Sequence, residues 1–247
     1  MARVIINGDD FGMNESCSRA IAQAINMRLI TDTTAVMNGE WIDEALQLAR
    51  DNGFSDKIGV HLNLTEGKPL TERICEFTDF VTDGYFNKRA MTLNRKPTDA
   101  EYEAVYAELE SQILRLKNAG IIITHADSHH YIHNSGYLFP VVAKVCRKYG
   151  IGKLRLRKNL PDTDPEINAY NASLRAQGFI TTKYFGRPEE IMGGEIPDCT
   201  ELLVHPDFDR DGKLIDRRGM SDGYPIGDRF PEIGKASGAQ LIDYSLL

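Results

Sequence analysis

Apolar and polar positions alternate along this chain in two different periods. Short β-branched or apolar runs fall at residues 3–7, 33–37, 57–63, 121–125, 153–157, 179–183 and 202–205, with one more at 240–244, and they read as strands. Stretches with helical spacing lie between them. In residues 101–119, Tyr102, Val105, Leu109, Ile113 and Leu116 advance by steps of three or four, and Gly120 stands where a helix ends on a left-handed glycine. Further helices are expected at 15–28 with Asn14 as N-cap, at 40–51, at 136–149 and around 165–176. Strand-then-helix units repeated in this way predict an α/β fold, a parallel sheet covered by helices.

Residues 75–98 carry neither period and are too many for an ordinary connection, so they are expected to form a functional loop inserted in a single domain spanning 1–247. The aromatics Phe77, Phe80, Tyr85 and Phe86 either line a cleft or pin this loop to the body. Barrels of roughly 200–250 residues commonly form one domain, so 247 residues need no split.

Charge and composition narrow the function more than the fold. Lys and Arg number 29 against 36 Asp and Glu, a net charge of −7, which argues against a nucleic-acid partner. No apolar run approaches the ~18 residues of a membrane span. The chain reaches Asn7-Gly8-Asp9-Asp10 before a signal-peptide core could form, so a cytoplasmic protein without a membrane partner is expected. Cys17, Cys75, Cys146 and Cys199 are scattered and read as reduced packing residues. Histidine is the uneven residue: of six, four (His125, His129, His130 and His133) fall within nine positions.

In parallel α/β folds binding groups gather where strands end. Asp9 and Asp10 follow the first run, His61 lies near the end of the third, and His125 ends the fourth. Arg155 and Arg157 end the fifth, and His205 ends the seventh. Each has an ordinary alternative: a turn for the aspartates, a satisfied core or strand-exit position for the histidines, solvated surface for the arginines. Successive side chains at a strand end point apart, so one aspartate can ligate a metal while the other reaches a water as general base. Asn63 shares a face with His61, and Asp127 can orient a ligating imidazole. Residues His125 and His129 are spaced to meet one ion if the chain turns helical there, although a polar loop has the same spacing. One carboxylate and two imidazoles make a three-ligand site with open positions, as metal-assisted hydrolysis requires.

Four segments also resemble, in order and spacing, the YdjC-like carbohydrate deacetylases: residues 7–12 (Asn-Gly-Asp-Asp-Phe-Gly), 59–65 (Gly-Val-His-Leu-Asn-Leu-Thr), 124–130 (Thr-His-Ala-Asp-Ser-His-His) and 201–206 (Glu-Leu-Leu-Val-His-Pro). The likeness extends to Gly67-Lys68-Pro69-Leu70, to Asp83-Gly84-Tyr85-Phe86 and to Glu110-Ser111-Gln112-Ile113. It departs from the family at Gly8, where alanine is common, and at Tyr131, where a third consecutive histidine is frequent. The resemblance implies a distorted (β/α) barrel of about seven parallel strands, related to the NodB-type polysaccharide deacetylases, that removes the N-acetyl group from an amino sugar or chitooligosaccharide. It implies Asp10, His61 and His125 as metal ligands, Asp9 as general base and His205 as acid or oxyanion partner. Asn63, Asp127, His129, Arg155 and Arg157 are weaker substrate or outer-shell candidates. The family implies magnesium and its relatives zinc; imidazole ligands suit zinc better, and the ion stays open. A homodimer is likewise an implication of the resemblance. Two other classes remain: a metal-dependent phosphoester hydrolase with Arg155 and Arg157 clamping phosphate, and a non-catalytic sugar- or metal-binding protein on the same fold.

Overall fold

The computed structural model describes residues 1–160, 164–191, 196–218, 224–226 and 239–247. In chain order its elements are β1 (Arg3–Phe11), α1 (Glu15–Asn26), β2 (Asp32–Ala35), α2 (Ile42–Asp51), β3 (Ile58–Leu62), β4 (Val81–Thr82), β5 (Tyr85–Phe86), α3 (Asp99–Asn118), β6 (Ala126–Ser128), α4 (Phe139–Lys148), α5 (Pro165–Ala176), β7 (Tyr184–Gly186), β8 (Thr200–Val204), β9 (Pro206–Phe208), β10 (Leu214–Asp216), β11 (Tyr224–Pro225) and β12 (Gln240–Leu241), with short 3-10 turns between several of them.

Six strands pair in parallel in the order β6-β3-β2-β1-β8-β7, and β12 adds a seventh beside the first residues of β1. The sheet curls into a half-barrel with helices around it. Residues 153–160 cross its open side through isolated contacts: Leu154 bridges to Ala126, Lys153 bridges to Ile180, and the N–H groups of Asn159 and Leu160 donate to the Phe185 carbonyl. The result is the expected distorted (β/α) barrel, but the runs at 153–157 and 179–183 supply bridges rather than full strands.

Local chemistry explains the helices. Asn14 caps α1 by accepting from the Cys17 N–H, and Thr98 with Glu101 forms a reciprocal capping box at the start of α3. Helix α3 ends on Gly120 at φ +83°, with Gly120 N–H donating to Lys117 and Ile121 N–H to Leu116, the hydrogen-bond pair of a Schellman motif. Its apolar positions Val105, Leu109, Ile113 and Leu116 are fully buried, and one hydrophobic cluster runs from Val4 to Ile226. Among the described residues no helix is long and apolar enough to cross a membrane.

Three differences from expectation matter for the site. The run at 121–125 does not form the fourth strand: Ile122 is 83% exposed, and the regular ladder begins at Ala126. The chain does not leave the strand region after His205, where the seventh run ends: Pro206 opens β9, the first strand of an antiparallel sheet with β10 and β11, a position where its missing N–H is tolerated. Within 75–98, β4 and β5 form a hairpin whose turn residues Asp83 and Gly84 are both left-handed, the geometry of a type I′ turn. Phe80 and Phe86 are buried there and Phe77 packs on the core, so these aromatics pin the loop to the body, while Tyr85 is half exposed.

Candidate metal centre

The site starts from an irregularity in β1. Between Gly8 and Phe11 that strand advances three residues while β2 advances two, from Thr33 to Ala35, so β1 carries one extra residue. Asp10 takes up the extra step in the left-handed region, at φ +74°, which aspartate tolerates better than most residues. The two carboxylates part company here. Asp9 turns into the barrel, and Asp10 faces the rim where the parallel strands end.

At the rim Asp10 meets two imidazoles. Its Oδ1 lies 2.9 Å from His129 Nδ1 and 3.4 Å from His61 Nε2, and all three residues are buried. Oδ1 nevertheless makes no well-directed hydrogen bond to a described residue. The other nitrogen of each ring is engaged. His61 Nδ1 donates to Asp127 Oδ1 at 2.6 Å, and His129 Nε2 lies 3.2 Å from Glu66 Oε2. With those protons placed, His61 Nε2 and His129 Nδ1 are the nitrogens that would turn to a cation, once it displaces the protons that face Asp10. Ligands around zinc at roughly 2.0–2.2 Å stand roughly 2.8–3.6 Å apart, the spacing of this group. The donor set thus fits a divalent cation, and His61–Asp127 and His129–Glu66 supply the outer carboxylates such ligands use. The electrostatics agree. Burial opposes charge on His61, but Asp127, Asp9 and Asp10 overcome it and push its pKa up to about 10. Burial likewise opposes the Asp10 carboxylate, and the two imidazoles still hold it well below the usual range. The pocket favours positive charge, which a proton or a metal can provide.

Below the rim the barrel is filled by a charged network rather than by aliphatic layers. Arg155 is fully buried; its Nη1 and Nη2 donate to Asp9 Oδ2 and Oδ1, each at 2.7 Å. Nη1 also lies 2.7 Å from Asp127 Oδ2, and Nε donates to Glu201 Oε1 at 2.7 Å. Asn7 Nδ2 donates to Asp9 Oδ1, and Thr34 Oγ1 donates to Asp127 Oδ2. Burial works against the Asp9 charge, but Arg155 foremost and then His61 keep its carboxyl well below the ordinary range.

The remaining expected residues fall in different places. His125 is not brought to the cluster: it precedes β6, its ring stacks on Tyr244 at 3.6 Å and 9°, and its Nδ1 lies 2.8 Å from Thr124 Oγ1. Gly59 makes room for that ring, since a Cβ there would come within 2.6 Å of it. The grouping therefore has His129 where the sequence pointed to His125, because the strand starts later than the apolar run. Asn63 is consumed in shaping the turn below His129: its Oδ1 accepts from Thr65 and Glu66, and its Nδ2 donates to Asn38 and to the Glu66 carbonyl. Asp127 and Arg155 lie inside the network, whereas Arg157 is exposed. His205 is buried, with Nδ1 4.0 Å from Asp216 Oδ1, and burial pushes its pKa down to about 3.

Several participants have no counterpart among the expected residues. Glu201 stands just ahead of the apolar run at 202–205 and Tyr244 closes the one at 240–244, Arg217 reaches Asp10 Oδ2 at 3.2 Å from beyond β10, and Glu66 lies in the loop that follows the His61 strand, where a search of strand ends would find it. A cavity of about 480 Å³ opens beside His130 and Tyr131, walled also by Ala90, Met91, Arg157 and Arg187. The 75–98 insertion thus reaches the cleft through Ala90 and Met91 rather than through its aromatics.

An α/β barrel with a buried carboxylate–imidazole group at the strand-end rim defines the class of this protein. The chain belongs to the family of YdjC-like proteins, whose model matches residues 3–223. It is similar in fold to a candidate cellobiose-phosphate cleavage protein from Enterococcus faecalis, at 24% identity and a TM-score of 0.76, over 99% of this chain and 98% of that one. A peptidoglycan N-acetylglucosamine deacetylase aligns over 97% of this chain and 85% of its own length at 12% identity and a TM-score of 0.38.

Proposed function

We propose that the protein is a metal-dependent carbohydrate deacetylase that hydrolyses the N-acetyl group of an N-acetylated amino sugar or chitooligosaccharide. The observation that carries this reading is the convergence of His61 Nε2 and His129 Nδ1 on the buried Asp10 Oδ1. The four segments that resemble YdjC-like carbohydrate deacetylases add to it. A divalent cation held by Asp10, His61 and His129 would supply Lewis acidity for the acetyl carbonyl and for a water. Two imidazoles and one carboxylate suit zinc or another transition ion better than magnesium.

The chain's own residues supply the rest. Asp9 takes the water's proton on a carboxylate oxygen, and its two-point pair with Arg155 keeps it ionised and aimed. Asp127 fixes the His61 tautomer, leaving Nε2 free of a proton. His205, kept neutral by burial, relays the water's proton from Asp9 to the leaving amine, which restores both side chains. The cavity beside His130 receives the sugar. A homodimer is what the resemblance implies, and sedimentation of the purified chain tests the dimer.

Acetate release from N-acetylated chitooligosaccharides, measured before and after chelation and after adding back zinc or magnesium, tests the reading. Release that ignores the chelator, or none from any N-acetyl sugar, removes it. Asp9→Asn is expected to retain the metal and to lose at least about a hundredfold in rate, the scale of a general base. A second reading, phosphoester hydrolysis, draws on the cationic wall of Arg157, Lys158 and Arg187 around the cavity. Phosphate release from sugar phosphates without acetate release would favour it.

A further inference from the structure

The charged network under the rim is completed by a residue far along the chain. Tyr244 is fully buried, and its hydroxyl donates to Glu201 Oε2 at 2.6 Å. Glu201 Oε1 accepts from Arg155 Nε at 2.7 Å, and the opposite edge of that guanidinium grips Asp9. Tyr244 is held from several sides. Its N–H donates to Asp32 Oδ1 at 3.1 Å, its carbonyl accepts from Lys153 Nζ, its ring stacks on His125, and with Ile242 it packs on Ile5 of β1. The hydroxyl therefore has one direction to point. Residue 244 also lies beyond the stretch 3–223 that the family model matches, so nothing in that match assigns it a role.

We propose that Tyr244 is a positioning residue of the hydrolytic site: through Glu201 it sets the orientation of Arg155, and through Arg155 that of Asp9 and of the Asp127–His61 pair. The inference rests on the hydrolase reading above. Arg155 has one edge on Glu201 and two nitrogens on Asp9, so releasing Glu201 lets the guanidinium tilt at both ends. Small misplacements of reacting groups cost rate far more than binding.

The test uses Tyr244→Phe, which keeps the ring over His125 and removes only the hydroxyl, and Glu201→Gln, in the full chain. Tyr244→Phe is expected to lower kcat about tenfold on an N-acetylated chitooligosaccharide and to leave KM within about twofold. In the Glu201→Gln background the same change should add nothing, since both act along one path. A second readout needs no activity: the Arg155 Nε–H resonance in a nitrogen-proton spectrum should shift in Tyr244→Phe and lose its protection from exchange. That resonance decides the matter even if the wild type releases no acetate, a result that would sink the hydrolase reading alone. An unmoved resonance, or equal and additive losses in both backgrounds, would overturn the proposal.

Discussion

The rim and the floor of this barrel hold similar residues to opposite ends. On the floor the charged groups of the network are paired: Arg155 spends its nitrogens on Asp9, Asp127 and Glu201, and Glu201 receives Tyr244 as well. On the rim His61 Nε2 and His129 Nδ1 converge on Asp10 Oδ1, which makes no well-directed hydrogen bond among the described residues. A satisfied network fixes geometry, whereas an unsatisfied one at the end of strands calls for a ligand. The floor fixes where Asp9 stands, and the rim gathers the ligand atoms.

The largest expected effect falls on the floor. Arg155→Met strips the counter-charge from three buried carboxylates and should destabilise the fold by about 3–5 kcal/mol, read from urea unfolding. A loss below about 1 kcal/mol would mean that the carboxylates find other relief, and the contrast would fail. On the rim, Asp10→Asn and His129→Ala should each weaken zinc binding more than about a hundredfold by calorimetric titration, beyond the range of outer-shell changes. His125→Ala should leave that affinity within about threefold, since its ring lies on Tyr244. The reverse pattern would restore His125 as a ligand and dismiss His129.

The smallest effect concerns pH. Burial first, with Arg155 next, pushes the His133 pKa down to about 3, so the folded chain keeps this ring neutral. The unfolded chain binds the proton near pH 6.5, so this ring's contribution makes stability slope downward as pH drops below 6.5. His133→Gln should flatten the wild-type curve by that slope in urea titrations between pH 6 and 4. An unchanged slope would mean that His133 protonates in the fold. His61 runs the other way in the metal-free protein: with its pKa raised to about 10, its contribution is complete below pH 6.5 and disappears as pH rises through 10.

Much of this was legible from the residues. Helix α5 matches its expected span at Pro165–Ala176, and the caps of α1 and α3 stand where Asn14 and Gly120 put them, because capping is local chemistry. Asp9, Asp10 and His61 stand at strand ends as expected. The exchange of His125 for His129 was not legible: Ile121, Ile122 and Ile123 look like a strand, yet only tertiary pairing shows that the ladder starts at Ala126 and that Ile122 faces solvent. Arg155 misleads for a related reason. The alternation through Lys153, Leu154, Arg155, Leu156 and Arg157 reads as a half-exposed strand, but here Leu154, Arg155 and Leu156 are all buried, since the barrel covers both faces. The Asp83-Gly84 hairpin, in contrast, carries a turn signal that sequence alone could have found.

The extra residue in β1 acts as a change of phase. Before it, Ile5, Asn7 and Asp9 look inward while Val4 and Ile6 look towards the helices, and after it Phe11 looks outward again, against Phe54. The lumen thereby receives two consecutive carboxylates where strict alternation would deliver one. What must be preserved in this stretch is a count as much as a set of identities. Only Asp9 and Asp10 stand between Gly8 and Phe11, so removing either would restore strict alternation with a single inward position there, and no choice of side chain at that position could supply both carboxylates.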